Sequence, residues 1–369
     1  MIILQSPRDV LLNPLQSVSG VVERRHTLPI LSNVLLEKEG GKLTLVATDI
    51  EIQIAATSEN VGGDNDGSVT VAAKKLQDIL RSLPESAQIT LDMEEKRLLL
   101  KAGRSRFSLQ TLPPQDFPRM TAATGGEEKT FTVTQKNFRQ LIGKTQYAMA
   151  AQDVRYYLNG LLLIVNGNKL SCAATDSHRL AYNSMDIETD FPKQEMILPR
   201  KTVLELNRLL ADNDEPLKIT GSANQIRFEF GSTILVSKLI DGKFPDYERV
   251  IPTNLSLHMF ADRQGLHTAM SRVAILTNEK FRGIRVLLEE NLLKIIAANA
   301  EQEEAQEEIE VEYTGAPLDV GFNVTYLLDV LNNLSGEKVC WSFNDATSSA
   351  LITMPDNDRF KYVVMPMRI

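Results

Sequence analysis

The sequence predicts an α+β fold made of three similar domains, with the helices collected on one side of the sheets. A short apolar segment that ends at Thr48 recurs with its end at Thr175 and again at Ala298, at steps of 127 and 123 residues. A repeat of this length covers nearly the whole chain. Each repeat also contains two amphipathic helix patterns and several short strand patterns, a combination typical of the α+β class.

The repeat spacing sets the expected domain boundaries. A chain of 369 residues suggests two or three domains, and the spacing favours three. Thr121–Thr130 is rich in Thr, Gly and Glu, and Val250–Leu257 contains a proline, so both segments are expected linkers. The predicted domains are 1–125, 126–252 and 253–369.

Composition and charge exclude several classes of protein. Apolar residues make up 43% and charged residues 24% of the chain, as in soluble globular proteins. No apolar run approaches the roughly 18 residues of a membrane span, and the first residues lack the pattern of a signal peptide, so we expect a cytoplasmic protein without a membrane partner. Cys172 and Cys340 have no partner spacing and are expected to be reduced and buried. A net charge of −8 argues against a protein that coats nucleic acid through overall positive charge.

Two helices are predicted in each repeat from apolar residues three and four positions apart. Thr134 and Asp262 are expected to cap first helices, and Pro14 is expected to kink another. The first-helix patterns are Leu11–Val22, Phe138–Met149 and Leu266–Val273. The second-helix patterns are Ala73–Leu83, Pro199–Leu210 and Asn323–Leu334.

Strands are predicted from short apolar or alternating segments between the helices. The alternation is clearest in Glu308–Tyr313, where acidic residues occupy one face and Ile309, Val311 and Tyr313 the other. The predicted strands are Lys42–Ile54, Ile89–Lys101, Arg104–Leu112, Leu161–Val165, Ile226–Lys238, Glu308–Tyr313 and Phe360–Met365.

The chain contains few catalytic motifs. It has no Gly-rich phosphate loop, no His-Glu-x-x-His motif and no carboxylate cluster at metal-ligand spacing, so we expect neither a cofactor nor a metal site. The one enzyme-like group is Asp176-Ser-His178, which leaves a hydrolase as the alternative function. Because neighbouring residues on a strand point to opposite faces, Ser177 is not expected to face His178 as a nucleophile. A protein that is not an enzyme is the favoured interpretation.

Basic residues concentrate on equivalent helices of the first two repeats. A solvated helix face is the simpler explanation, but helices arranged side by side would form a continuous basic surface for phosphate groups. These residues are Arg24, Arg25, His26, Lys74, Lys75, Arg81, Lys136, Arg139, Lys144, Arg200, Lys201 and Arg208, with only Arg263, His267 and Arg272 in the third repeat. In the loop Gln152–Gly160, Tyr156 and Tyr157 suit either a wet surface or a buried structural role.

Opposite charges at the two ends of the chain suit head-to-tail association of two copies, which closes into a ring or continues as a filament. Acidic residues gather in the third repeat and basic residues in the first. The candidate interface residues are Lys75, Arg97, Phe107 and Leu109 in the first repeat and Ile275, Leu276, Glu301, Glu303 and Glu304 in the third.

Seven motifs in a fixed order carry a resemblance to a known family. They are Thr27-Leu-Pro-Ile-Leu31, Gly103-Arg-Ser-Arg-Phe107, Gln152-Asp-Val-Arg-Tyr-Tyr-Leu-Asn-Gly160, Asp176-Ser-His-Arg-Leu180, Phe244-Pro-Asp-Tyr247, Asn278-Glu-Lys-Phe-Arg-Gly283 and Tyr362-Val-Val-Met-Pro-Met-Arg368. The chain resembles the β sliding clamps of bacterial DNA polymerase III, from near residue 9 to its last residue.

The resemblance implies a homodimeric, head-to-tail ring of six domains, with helices facing duplex DNA and sheets on the outer rim. Such a ring is a processivity factor that binds double-stranded DNA without sequence specificity and tethers the replicative polymerase. It implies further partners, namely an ATP-driven clamp loader and other polymerases and repair proteins that bind through a short peptide motif. A repeat scaffold that does not bind DNA is a further alternative.

The resemblance also implies two sets of site residues. The DNA-binding set is Arg25, Lys74, Gln152, Tyr156, Tyr157, Arg200 and Lys201. The set that lines a partner-peptide cleft between the second and third domains is Leu158, Thr175, His178, Arg179, Leu180, Pro245, Arg249, Val250, Ser349, Val363, Met365, Pro366 and Met367. Methionine and aliphatic side chains suit a site that accepts several partners. The sequence departs from the family at Ala151, where a His is common, at Lys74, where an Arg is common, and at Ser177, where a Gly is common.

Overall fold

The structure is a computed structural model that describes residues 2–23, 28–63, 65–121 and 128–369. In these ranges the chain forms two compact units. One contains the residues up to Phe138 together with Leu204–Leu239, and the other contains Arg139–Val203 and Ile240–Ile369.

Six α-helices confirm the predicted helix patterns within the described ranges. They are α1 Arg8–Val18, α2 Ala73–Ser82, α3 Gln135–Gly143, α4 Arg200–Leu209, α5 Arg263–Val273 and α6 Val324–Asn333. The expected caps are present, since the side chains of Thr134 and Asp262 accept hydrogen bonds from the third backbone N–H beyond them. Pro14 is buried inside α1, which continues beyond it to Val18.

Twenty-two β-strands occupy the remainder of the described ranges. They are β1 Ile2–Pro7, β2 Asn33–Glu39, β3 Lys42–Thr48, β4 Ile52–Ser58, β5 Gly67–Ala72, β6 Gln88–Glu94, β7 Arg97–Ala102, β8 Ser105–Leu112, β9 Lys129–Thr134, β10 Gly160–Thr175, β11 Arg179–Pro199, β12 Pro216–Gly221, β13 Gln225–Phe230, β14 Thr233–Lys238, β15 Leu257–Asp262, β16 Gly283–Glu289, β17 Leu292–Ala298, β18 Glu304–Glu310, β19 Leu318–Asn323, β20 Lys338–Phe343, β21 Ala350–Met354 and β22 Asn357–Val364.

Three predicted strands proved to be hairpins. The segments Lys42–Ile54, Ile89–Lys101 and Ile226–Lys238 each contain two strands joined by a tight turn. Apolar residues recur at short intervals on both sides of each turn, so the sequence pattern does not mark the reversal of the chain.

 The turns at Glu95 and Gly231 each contain two residues. The φ angles of Glu95 and Gly231 are 54° and 52°, and positive φ is typical of two-residue hairpin turns.

Three other strands differ from prediction in length, and one of them is β22, which begins at Asn357 and not at Phe360. The strand expected at Leu161–Val165 is the start of β10, which has 16 residues and pairs with the 21-residue β11. The strand expected at Glu308–Tyr313 begins earlier, at Glu304, although the predicted alternation of exposed acids and covered apolar side chains continues through Tyr313.

Edge strands join successive repeats, and we call each such strand pair a junction. In the first unit, β4 pairs with β14 inside a 12-stranded sheet of order β1-β6-β7-β8-β5-β2-β3-β4-β14-β13-β12-β9. In the second unit, β11 pairs with β22 inside a six-stranded sheet of order β10-β11-β22-β21-β20-β15. A separate four-stranded sheet in that unit has the order β18-β17-β16-β19. Both junctions pair a strand that follows the repeated segment with the last strand of the next repeat.

The cores beside the two junctions use equivalent residues. Leu35, Val46 and Phe117 pack together in the first unit. Leu162, Ala173 and Phe244 do the same in the second unit, each 127 residues further along the chain. The repeat inferred from sequence therefore extends to the packing of side chains. Both cysteines are buried and free, as predicted.

The repeated segment ends in the same turn in the first two repeats. The Thr48 hydroxyl accepts from the N–H of Ile50 and donates to the carbonyl of Ile52. Thr175 makes the equivalent bonds with Ser177 and Arg179. The central residues of the two turns have φ angles of 80° at Ile50 and 79° at Ser177. This geometry explains why Gly suits position 177, because Gly adopts positive φ at little cost.

We expect Ile50→Gly to stabilise the protein by about 1 kcal/mol, because a β-branched residue is strained at positive φ. Urea unfolding of the variant and the parent protein measures the difference. Ile54→Gly is the matched control, since Ile54 lies in β4 and is fully buried, and this change is expected to destabilise the protein. A loss of stability in Ile50→Gly would contradict the strain.

Candidate functional sites

The enzyme-like group lies in a turn and not on a strand. The sequence-based premise for Asp176, Ser177 and His178 was therefore wrong, because β10 ends at Thr175 and β11 begins at Arg179. The Asp176 carboxylate accepts hydrogen bonds from the backbone N–H groups of His178 and Arg179, at 3.0 and 3.1 Å. It also accepts from Nε of Arg179 at 3.0 Å. The carboxylate thus holds the turn in shape.

Arg179 is the most heavily bonded side chain near this turn. Its buried guanidinium donates from Nη1 to Asp329 and from Nη2 to the carbonyl of Tyr147, both at 2.6 Å. The guanidinium carbon also lies 4.4 Å from the centre of the Tyr326 ring and 5.8 Å from that of Tyr147. Arg179 therefore ties the turn to α6 and to the segment after α3.

The pKa values of Arg179 and of two nearby tyrosines are all raised by their surroundings. Burial opposes the charge on Arg179, but Tyr362, Asp329 and Asp176 outweigh burial and raise the pKa of the guanidinium. Burial raises the pKa of Tyr362 and Tyr147. One cation is thus balanced by two carboxylates in a covered site, which is the arrangement that a buried charge requires.

The C-terminal segment is fixed beside the same turn. Met365 follows β22 directly, and its N–H donates at 2.9 Å to the carbonyl of His178, which directly precedes β11. Met367 N–H donates to the carbonyl of Gly321 at 2.8 Å. A Cβ atom at position 321 would collide with the carbonyl oxygen of Met367, so this approach requires glycine.

All thirteen predicted cleft residues lie in the second unit, but they differ in exposure. Leu158, Leu180 and Val363 are buried. Met365 and Val250 are each 48% exposed, so two large apolar side chains face solvent. The other exposed members are His178, Pro245 and Arg249, and the half-buried members are Thr175, Ser349, Pro366 and Met367.

A tyrosine pair beside these residues was not predicted from the sequence. The rings of Tyr182 and Tyr247 stack with centroids 5.6 Å apart and an interplanar angle of 15°. Both rings pack against the buried cluster that contains Phe244. Burial, followed by the nearby Tyr182 and Glu248, raises the pKa of Tyr247. The motif Phe244-Pro-Asp-Tyr247 contained one partner, but nothing in the sequence linked it to Tyr182.

The predicted DNA-binding residues occupy varied environments. Arg25 lies outside the described residues. Lys74 is exposed on α2 and lies 3.4 Å from Asp78. Arg200 donates from Nη1 to the carbonyl of Met149 at 3.1 Å, so part of its guanidinium has an internal role. Lys201 is half-buried.

Hydrogen bonds link residues across the loop before β10, and its two tyrosines differ in exposure. Asp153 receives two side-chain hydrogen bonds from Arg155, and these bonds lower the Asp153 pKa to about 2. Asp153 and Asn159 also exchange backbone and side-chain hydrogen bonds. Tyr156 is 57% exposed, whereas Tyr157 packs against the buried cluster. Gln152 is exposed at the start of the loop.

The candidate interface residues lie at two strand edges and one helix end. In the first unit, Phe107 and Leu109 lie on β8, which pairs with β7 along its length but with β5 only at its last two residues. In the second unit, Ile275 follows α5 and is 77% exposed. Leu109 is 8% exposed and Leu276 is half-buried. The charged candidates Lys75, Arg97, Glu301, Glu303 and Glu304 are all exposed.

Comparison with known proteins identifies the family. Sequence models of the DNA polymerase III beta subunit match the N-terminal domain at residues 3–121, the central domain at 132–246 and the C-terminal domain at 248–368. The chain belongs to the DNA polymerase III beta subunit family. The beta sliding clamp of Pseudomonas aeruginosa is 52% identical over 365 residues, and that of Escherichia coli (strain K12) is 48% identical over 362, each covering 98% of both chains. A crystal structure of the P. aeruginosa clamp with ligand has a TM-score of 0.95 at 49% identity and covers 100% of both chains.

Membership of this family decides between the functions left open above. The three-domain α+β fold is confirmed, and the protein is a DNA sliding clamp, a processivity factor in DNA replication and not a catalytic subunit. The hydrolase and the scaffold without DNA receive no support. In the described ranges, no helix is long and apolar enough to span a membrane, and no group of three or more His, Cys, Asp or Glu side chains is placed to hold a metal ion.

We expect Arg179→Met to destabilise the clamp by about 3 kcal/mol or more, because Asp176 and Asp329 would lose their buried cation. Urea unfolding measures the change. Arg285→Met is the matched control, since Arg285 pairs with Asp319 at the surface of the same unit and is expected to contribute less than about 1 kcal/mol. Equal losses in the two variants would contradict the role of Arg179.

Proposed function

We propose that this clamp closes head to tail with a second copy and encircles duplex DNA. The observation that carries the proposal is the pattern of junctions. Within the chain, β4 pairs with β14 and β11 pairs with β22. The equivalent strands that remain are β18, at the edge of its four-stranded sheet, and β8, whose second edge is mostly open in the described structure. Pairing of β18 with β8 of the second copy, and the reverse, closes a ring of six domains.

Charge and apolar surface favour this pairing. Every second residue of β18 from Glu304 to Glu310 is an exposed acidic or polar side chain, and Glu301 and Glu303 lie just before it. Arg104 and Arg106 lie at the start of β8, and Arg97 lies on the adjacent strand. Opposite charges across such an edge select the correct partner and oppose pairing of two like edges. The exposed Ile275 supplies apolar area at the same contact.

Contacts with DNA need to be weak, because the ring itself retains the DNA. Basic and polar groups on the helices and on the Gln152 loop would contact phosphates without reading sequence. This division of roles allows a protein with a net charge of −8 to work on DNA. The proposed contacts are Arg25, Lys74, Gln152, Tyr156, Tyr157, Arg200 and Lys201.

The exposed apolar residues beside β22 form the proposed docking cleft for partners. Val250 and Met365 would receive apolar anchors of a short peptide, and Leu180 and Val363 would form the base beneath them. The partners would be the replicative polymerase, an ATP-driven loader, and other polymerases and repair proteins. The proposal keeps the domains 1–125, 126–252 and 253–369 and places the protein in the cytoplasm, where its DNA is.

We expect the loaded clamp to stay on nicked circular DNA and to be lost within minutes once a restriction enzyme makes that DNA linear. Topological retention ends when the ring can slide off an end. Gel filtration of the protein–DNA mixture before and after cutting measures retention. Blocking both ends with bound streptavidin is the control and should restore retention. Equal retention on open linear and circular DNA would contradict encirclement.

We expect the double change Val250→Ala and Met365→Ala to weaken peptide binding about tenfold or more, since each truncation removes apolar area from the cleft. Fluorescence anisotropy with a peptide from a polymerase tail measures the affinity. Val154→Ala is the matched control, because Val154 is 96% exposed and lies outside the proposed cleft. Unchanged affinity in the double variant, with the dimer intact, would reject the cleft and leave the ring standing.

A further inference from the structure

A helix contact accompanies strand pairing at both junctions within the chain. Gly20, Tyr147 and Ile275 each lie 12 residues after the first residue of the first helix of their repeat, at α1, α3 and α5. We call this the junction position. Asp78, Glu205 and Asp329 each lie five residues after the first residue of α2, α4 and α6. We call this the acid position.

At the first junction, the acid position lies directly against the junction position. A Cβ atom at Gly20 would collide with the Glu205 carboxylate. Arg208 donates to Glu205 from Nε and Nη2, at 3.0 and 2.6 Å. The same guanidinium donates to the carbonyls of Gln16 and Ser17 at the end of α1, at 3.3 and 2.8 Å. Arg208 therefore caps α1, since a cation at this end satisfies carbonyls that lack helical partners.

At the second junction, a different arginine makes the same kind of contact. Arg179 bonds to Asp329 at the acid position and to the carbonyl of Tyr147 at the junction position. Both junctions thus contain an arginine that is bound to the acid position and that donates to a backbone carbonyl at the junction position or within four residues before it.

The third set of equivalent residues is present in the chain but has no such contact. Ile275 is 77% exposed. Asp78 is exposed and is paired only with Lys74, itself exposed, at 3.4 Å. Arg81 follows Asp78 by three residues, as Arg208 follows Glu205, and it is exposed on α2 without a hydrogen bond or ion pair to the described residues.

We propose that Asp78 and Arg81 of one protomer complete this third contact on a second copy of the chain. Ile275 of that copy packs against α2, and Arg81, held by Asp78, donates to the last carbonyls of its α5. The sizes of the side chains fit this role. Asp78 is shorter than Glu205, which leaves room for Ile275, a larger residue than Gly20 at the junction position. The inference rests on the head-to-tail ring proposed above and assigns to its interface two residues beyond the strand edges.

We expect Arg81→Met to raise the Kd of the dimer about tenfold or more, because charged hydrogen bonds to helix carbonyls would be lost. Mass photometry of a dilution series measures the Kd. Arg227→Met is the control, since Arg227 is a partly exposed arginine paired with Glu229 on the sheet. Thermal unfolding of each variant checks that it folds. Arg81→Lys retains the charge but not the fork, so it should recover only part of the affinity.

Asp78→Asn should weaken the dimer as well, and its effect should not add to that of Arg81→Met, since both changes act on one contact. If the parent protein dimerises and Arg81→Met behaves like Arg227→Met, the inference fails and the ring stands. Full recovery by Arg81→Lys would reject the capping geometry. If the parent protein is a monomer throughout the dilution series, the ring fails and the inference fails with it.

Discussion

The architecture depends on one constraint, which is that the backbone of an edge strand needs a hydrogen-bonding partner. An open edge exposes a row of N–H and C=O groups, and such edges pair with other chains unless they are covered. Each repeat of this clamp has one such strand after the repeated apolar segment and another at its end. Inside the chain these edges cover each other, at β4 with β14 and at β11 with β22. A chain with three repeats therefore keeps one edge of each kind.

The same constraint explains why the repeats are so alike in their cores. A junction places two edges in register only if the sheets behind them have the same shape. Phe117 and Phe244, 127 residues apart, fill equivalent spaces behind the two junctions. Ile50 and Ser177 take nearly the same positive φ, which is most strained for a β-branched side chain such as that of Ile50. The turn at Ile50 therefore has the same backbone geometry as the turn at Ser177, although isoleucine is strained in it.

Periodicity in the sequence was sufficient to predict the repeat, all six helices and the α+β class. It failed at the turns between β3 and β4 and between β13 and β14, because apolar alternation continues through both and hides the reversal. It also could not predict the role of Arg179, whose partners Tyr147 and Asp329 lie 32 and 150 residues away. Contacts over such separations depend on tertiary packing, which no local pattern contains. The resemblance supplied the predicted cleft residues, and the structure shows that some of them are buried and others exposed.

A comparison of the two junctions shows how equivalent backbones produce different surfaces. Met365 N–H donates to the carbonyl of His178 at 2.9 Å, and Lys238 N–H donates to the carbonyl of Glu51 at the same distance. At the first junction, the side chains of Lys238 and Glu51 form an ion pair of 3.0 Å, so they cover the position with charge. At the second junction, methionine leaves an apolar surface open to solvent. Backbone geometry is thus shared by both positions, and the side chains alone make the surface charged at the first junction and apolar at the second.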